Sequence, residues 1–253
     1  MKILDTAPQS AVKTTKNISR SMLAMAFVSV AIFSSCQKEG QQTVPSLPGA
    51  NNTIAATNPG AGQTVAFNCD STYGTVTLDA SGVYNVANFF QGVQGTTGNP
   101  PHVAHATYYY SLADNDGGCD GYDLVFNGTA NADVSVPSGY TLQYTAATSF
   151  ANVTASTVGT TVSVFGYNRI LMAPPTGNTT INTAHPGWYN YDVVNHIVYP
   201  IAEWGVEVTL IVTTDAGVKY KVQLQDLYSN GTPNSTVQAN NYPFFKFRYK
   251  RLN

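Results

Sequence analysis

Charge is scarce in this chain. Asp, Glu, Lys and Arg make up 10% of 253 residues, and the formal net charge is −2. No basic run exceeds Lys250-Arg251, which excludes the phosphate-neutralising surface that nucleic-acid binding needs. Past residue 36 no apolar stretch approaches the length of a membrane-spanning helix. Catalytic signatures are missing too: there is no Gly-x-Ser-x-Gly elbow, no His-Glu-x-x-His and no phosphate loop. An enzyme is therefore not expected. Cysteine is limited to Cys36, Cys69 and Cys119, and no Cys-x-x-Cys or Cys/His spacing suits a structural metal.

The first residues read as a targeting segment. Lys13, Lys16 and Arg20 form a basic region, Met22 to Phe33 is uncharged and apolar, and Ser34-Ser35 precede Cys36. This is the pattern of a lipoprotein signal over residues 1–35, with Cys36 as the lipidated first residue of the mature chain. A plain secretory signal is the weaker alternative. Removing residues 1–35 leaves 8 basic and 13 acidic residues. Residues 36–62 are rich in Pro, Asn, Thr, Ala and Gly, and read as a flexible tether to the lipid. A single folded domain is expected over 63–253. With Cys36 lipidated, Cys69 and Cys119 are an even pair in an oxidising compartment, and one disulfide is the expected outcome. Two free thiols are the alternative.

Strand signals dominate that domain. Thr64–Phe67, His105–Leu112, Tyr122–Phe126, Thr161–Leu171 and Phe244–Tyr249 are β-branched or aromatic. Glu207–Thr214 and Val218–Leu227 predict a hairpin around Asp215-Ala216-Gly217. In its second strand Tyr220, Val222 and Leu224 alternate with Lys219, Lys221, Gln223 and Gln225, the pattern of a sheet with one wet face. No long 3.6-residue apolar period appears. The fold class expected is all-β, a single antiparallel β domain.

Gly187-Trp188-Tyr189-Asn190-Tyr191, then His196-Ile197-Val198-Tyr199-Pro200, then the Lys221 strand with Tyr228, and finally Phe247-Arg248-Tyr249 follow one another toward the end of the chain. This order resembles the C-terminal signature of the HmuY family, haem-binding surface lipoproteins of Bacteroidota. Tyr122-Asp123-Leu124-Val125-Phe126 resembles that family's Trp-Asp-x-Ala-Phe strand, with Tyr in place of Trp. The likeness runs from about Thr107 onward. It implies a HmuY-like β domain displayed on the outer membrane, haem as ligand, and an outer-membrane haem receptor as partner beside the lipid anchor. Gln37-Lys38-Glu39 weakly resembles the surface-export tag of such lipoproteins.

Haem needs axial donors and flat apolar walls. The mature chain offers His102, His105, His185, His196 and Met172. Met172, His185 and His196 fall in or beside one long connection, about 173–200, that also carries Trp188, Tyr189, Tyr191 and Tyr199. Long connections without structure of their own are often functional. His196 and Met172 are the first candidates to hold the iron and His185 the next, with the four aromatics as pocket walls. Where some family members carry a Met after the Trp-Tyr block, Val193 stands here.

His102-Val103-Ala104-His105 follows Pro100-Pro101 and reads as exposed loop histidines. Asp114, Asp116, Asp120 and Asp123 surround Cys119. They suggest a calcium loop or, more simply, a solvated turn beside a disulfide. The rival to haem capture is a binding or adhesion module of the same fold, with a glycan or protein as ligand.

Overall fold

The computed structural model describes residues 57–69, 73–90, 107–119, 121–129, 132–173, 180–195, 197–229 and 244–253. Residues 1–35, expected as a signal, and Cys36, His102, His105, Asp120 and His196 lie outside them.

Fourteen strands run through the described residues, with two 3₁₀ turns at Phe150–Asn152 and Ile201–Trp204 as the helical elements. They are β1 Thr64–Ala66, β2 Tyr73–Leu78, β3 Tyr84–Phe90, β4 Tyr108–Tyr110, β5 Leu124–Asn127, β6 Asp133–Ser135 and β7 Thr141–Thr145. The rest are β8 Thr160–Val162, β9 Gly166–Leu171, β10 Gly187–Asp192, β11 Ile197–Pro200, β12 Thr209–Thr213, β13 Lys219–Asp226 and β14 Phe244–Arg251. The protein is all-β.

One eight-stranded antiparallel sheet has the order β1-β2-β3-β14-β13-β12-β7-β8. Two three-stranded sheets, β4-β5-β6 and β11-β10-β9, accompany it. A bridge between Val134 and Phe165 joins these two. The expectation of a purely antiparallel domain needs one correction, because β9 and β10 run parallel. Their connection crosses over instead of closing a hairpin.

Aromatic side chains from the smaller sheets pack onto the large one. Phe126 of β5 meets Phe89 at 5.3 Å and Phe245 at 4.7 Å between ring centres. Tyr110 of β4 stands edge-on to Phe247 at 5.0 Å, and Trp188 of β10 lies 5.5 Å from Phe245. Tilted and T-shaped pairs of this kind add to the burial of large apolar area. Phenol hydroxyls in this core must find partners. Tyr249 donates to Asn115 Oδ1 (2.7 Å), so Tyr110 donates to Tyr249 (3.1 Å). Burial pushes both phenols above their ordinary range.

The expected hairpin is present. β12 and β13 pair antiparallel around a turn in which Gly217 takes φ +78°, a conformation that favours glycine. The expected wet face is not. Lys221 and Gln223 are buried, because residues 149–157 fold over that side of β13. Lys221 Nζ donates to the carbonyls of Phe150, Ala151 and Val153 at 2.7, 3.3 and 3.1 Å. Arg248 of β14 lies over the Phe150 ring at 4.4 Å, so two cations share one aromatic.

The start of the fold also differs from the composition boundary. Thr57 is buried and its hydroxyl donates to Asp116, while Asn115 Nδ2 donates to Thr57 O at 3.0 Å. Residues 57–62, expected in the tether, belong to the folded unit. Cys69 and Cys119 are joined as a disulfide, with their Cα atoms 5.7 Å apart.

Candidate functional site

The stretch expected to be one long irregular connection contains two strands, β10 and β11, hydrogen-bonded to each other. Every residue of β10 is buried. This fixes the roles of three aromatics. Trp188 Nε1–H donates to Ala132 O at 2.8 Å, and the Tyr189 hydroxyl donates to Asp133 Oδ1 at 2.7 Å. Tyr191 lies in the same core. These rings pack against the protein itself and fill its core instead of walling a pocket. Tyr199 of β11 is half-buried and sits 6.2 Å from Trp204.

The candidate donors separate along β9. Gly187 at the start of β10 pairs with Gly166 at the start of β9, so His185 belongs to that end. His185 stacks on Tyr167 with ring centres 5.7 Å apart. Met172 follows Leu171 at the other end, where Leu171 O accepts from Val193 N at 2.9 Å. At about 3.3 Å per residue, the strand alone holds its ends roughly 17 Å apart. Met172 and His185 therefore do not share one iron. The structure instead brings Met172 beside the β10–β11 turn, in whose sequence His196 falls. Asp192 closes that turn, its Oδ1 accepting from Val194 N and Asn195 N at 2.9 and 3.1 Å.

This end of the small sheet is apolar and open. Met172 is 76% exposed, Val194 55% and Ile170 44%. Apolar side chains exposed together carry more meaning than scattered ones.

In the acidic loop near Cys119, Asp116 and Asp123 are neither solvated nor free to hold calcium, while Asp114 is half-exposed. Asp116 accepts from Asn68 N at 2.8 Å, Gly117 N at 2.7 Å and Cys69 N at 3.2 Å. Asp123 Oδ2 accepts from Leu112 N and Ala113 N at 2.6 and 3.2 Å. Both carboxylates are buried acceptors for backbone N–H groups. Local spacing predicts a turn but cannot show that Thr57 and Asn68 return to cover it.

At the other end of β9 lies a cleft of about 440 Å³ that sequence reasoning missed, lined by Asp133, Thr161, Ser163, Tyr167, His185 and Pro186 among others. Asp133 Oδ2 accepts from Thr129 N at 2.9 Å, and Oδ1 takes the Tyr189 hydroxyl. Burial pushes this carboxyl above its ordinary value, against the pull of those bonds. A Cβ at Gly128 would fall 2.2 Å from Asp133 Oδ2, and one at Gly166 would fall 2.1 Å from Oδ1. Two glycines thus make room for the carboxylate. They were the only trace of it in the sequence, and they become legible only once β6 and β9 are neighbours.

The fold and these sites define an all-β domain with an apolar, thioether-bearing rim at one end of a small sheet and a polar cleft at the other. The chain matches no family model, and no curated protein matches it.

Proposed function

We propose that the protein is a HmuY-like surface lipoprotein that captures haem and passes it to an outer-membrane receptor. The reading rests on the order of the Trp-Tyr block, the Lys221 strand and the closing Phe-Arg-Tyr strand in the sequence. One structural observation supports it: Ile170, Met172 and Val194 are each exposed in the segments where the end of β9 bonds to the start of the β10–β11 turn.

The donor chemistry fits haem. An open thioether and an imidazole are both established axial ligands, and an apolar rim suits a porphyrin face. Met172 is the first donor and His196 its partner, with the half-buried Tyr199 of β11 as the candidate wall. Bound haem contributes the iron that these donors hold; the chain contributes orientation and shielding, without turnover. Tyr191, buried and paired with Ile170, is the rigid neighbour of the rim, while Trp188 and Tyr189 anchor the sheet toward its Gly166 end.

A haem titration of the full-length chain in mild detergent tests this, followed in the Soret band in oxidised and reduced solution. The expected result is a saturable one-to-one shift. Met172→Ala and His196→Ala each weaken it at least tenfold, and His185→Ala leaves it unchanged. No shift in either redox state overturns the proposal, as does binding that survives both substitutions.

A further inference from the structure

The cleft at the Gly166 end of β9 is separate from the rim and has its own chemistry. Its volume of about 440 Å³ lies within the range of small-molecule sites, about 300–1,000 Å³. Four features select its ligand. The first is a carboxylate held in place: Asp133 is fixed by Thr129 N and the Tyr189 hydroxyl, one bond to each oxygen, which leaves each oxygen capacity to accept another donor. The second is a stacked pair, Tyr167 with its exposed partner His185, ring planes 28° apart. Third come the hydroxyls of Thr161 and Ser163 on and after β8. Last, among the described residues none that lines the cleft is Lys or Arg.

The missing cation argues against an anionic ligand, since a phosphate or carboxylate would meet the Asp133 carboxylate unrelieved. A wholly apolar ligand would take the remaining acceptor capacity of that carboxylate and the Thr161 and Ser163 hydroxyls away from water without replacing those hydrogen bonds. A neutral molecule with several hydroxyl groups meets both conditions. Its O–H groups donate to Asp133, it exchanges hydrogen bonds with Thr161 and Ser163, and its C–H face lies on the Tyr167–His185 pair. We infer that this cleft is a binding site for a neutral saccharide, with Asp133 and Tyr167 as its principal contacts. The inference does not depend on haem capture, which uses the opposite end of β9.

Saturation-transfer NMR on the full-length chain in mild detergent tests it. The probes are the methyl glycosides of glucose, galactose, mannose and N-acetylglucosamine, with their β-linked disaccharides, at millimolar concentration. At least one probe is expected to receive saturation through its ring protons. Tyr167→Ala and Ser163→Tyr, the second filling the cleft, each reduce its affinity at least tenfold. Met172→Ala leaves it unchanged. His185→Ala, a change at an exposed position, gives a separate loss of a few-fold in a protein whose fold is not in question. Absence of transfer to every probe overturns the inference, and so does transfer that persists in both Tyr167→Ala and Ser163→Tyr. Haem titration of the same two variants is expected to match the unsubstituted chain, so the outcomes for the two ends of β9 can be told apart.

Discussion

The ammonium of Lys221 lies 2.7 Å from the carbonyl oxygen of Phe150 and 4.7 Å from the centre of the same residue's ring. One residue of the short 3₁₀ turn therefore offers both its backbone and its π-face to a single buried cation. Hydrogen bonds to charged groups contribute more than neutral ones, about 1.5–3 kcal/mol. Lys221→Met keeps the aliphatic stem and removes the ammonium. It is expected to lower unfolding free energy by about 1–3 kcal/mol in urea titrations and to free residues 149–157 to exchange amide hydrogens faster. Unchanged exchange in that segment would show that Lys221 does not hold it.

The disulfide closes a separation of 50 residues. In the chain-entropy model such a loop stabilises by about 4 kcal/mol. The double variant Cys69→Ser, Cys119→Ser is expected to lose stability of that order. Its urea midpoint should match that of the unsubstituted chain under reducing conditions. A variant as stable as the oxidised protein would contradict the linkage.

Gly166→Ala places a Cβ 2.1 Å from Asp133 Oδ1. Overpacking at a close contact typically costs about 1–3 kcal/mol. A thermal melt should show the loss, while Gly121→Ala, where a Cβ would meet nothing within 4 Å, serves as the neutral comparison. Equal melting temperatures for the two would mean that the Asp133 seat yields easily.

Asp133 also gives the protein a pH dependence. Burial raises its carboxyl above the ordinary aspartate range, so the folded state holds the proton at a pH where the unfolded chain has released it. The contribution from this group is therefore fully present below the unfolded value and is lost as pH rises through the folded value. Asp133→Asn removes that dependence, whatever constant offset it introduces. Between pH 4 and pH 7 the stability of the unsubstituted chain should fall relative to the variant. A difference that stays flat across this window would contradict the assignment.

Trp188→Phe separates scaffold from pocket. It leaves the Ala132 carbonyl, buried and bonded to Nε1 at 2.8 Å, without its donor, at an expected cost of about 1–3 kcal/mol. Haem affinity should stay within a few-fold. A large loss of affinity in a variant that keeps its stability would make Trp188 a wall of the haem site.

These predictions mark where local sequence was sufficient. The β12–β13 hairpin follows from alternation and from Gly217, both properties of neighbouring residues. β1, β5 and β14 fall within two residues of the boundaries expected from β-branched and aromatic runs. Thr161–Leu171, read as one strand, divides into β8 and β9. The division comes at Phe165, which bridges to Val134 far back in the chain, and no local pattern carries that contact. The reading of Lys221 and Gln223 as solvent-facing failed for a related reason. Alternation reports two faces but not whether a distant segment covers the second. The aromatics of β10 were conspicuous as residue types. Whether they line a cavity or fill the core depends on Phe245 and Ala132, brought in from elsewhere. At the rim, Met172 was legible as a rare donor; its distance from His185 depends on the parallel register of β9 and β10.

β14 occupies an interior place in the large sheet, with β3 on one side and β13 on the other. Tyr84 on β3 therefore waits for Tyr249, its partner across 165 positions of chain. A ribosome must deliver almost all of this sequence before the first three strands can be joined to the other five strands of the large sheet. Nascent chains with such closure fold late and slowly. The large sheet thus stays open along the β3 edge for nearly the whole of the chain's synthesis.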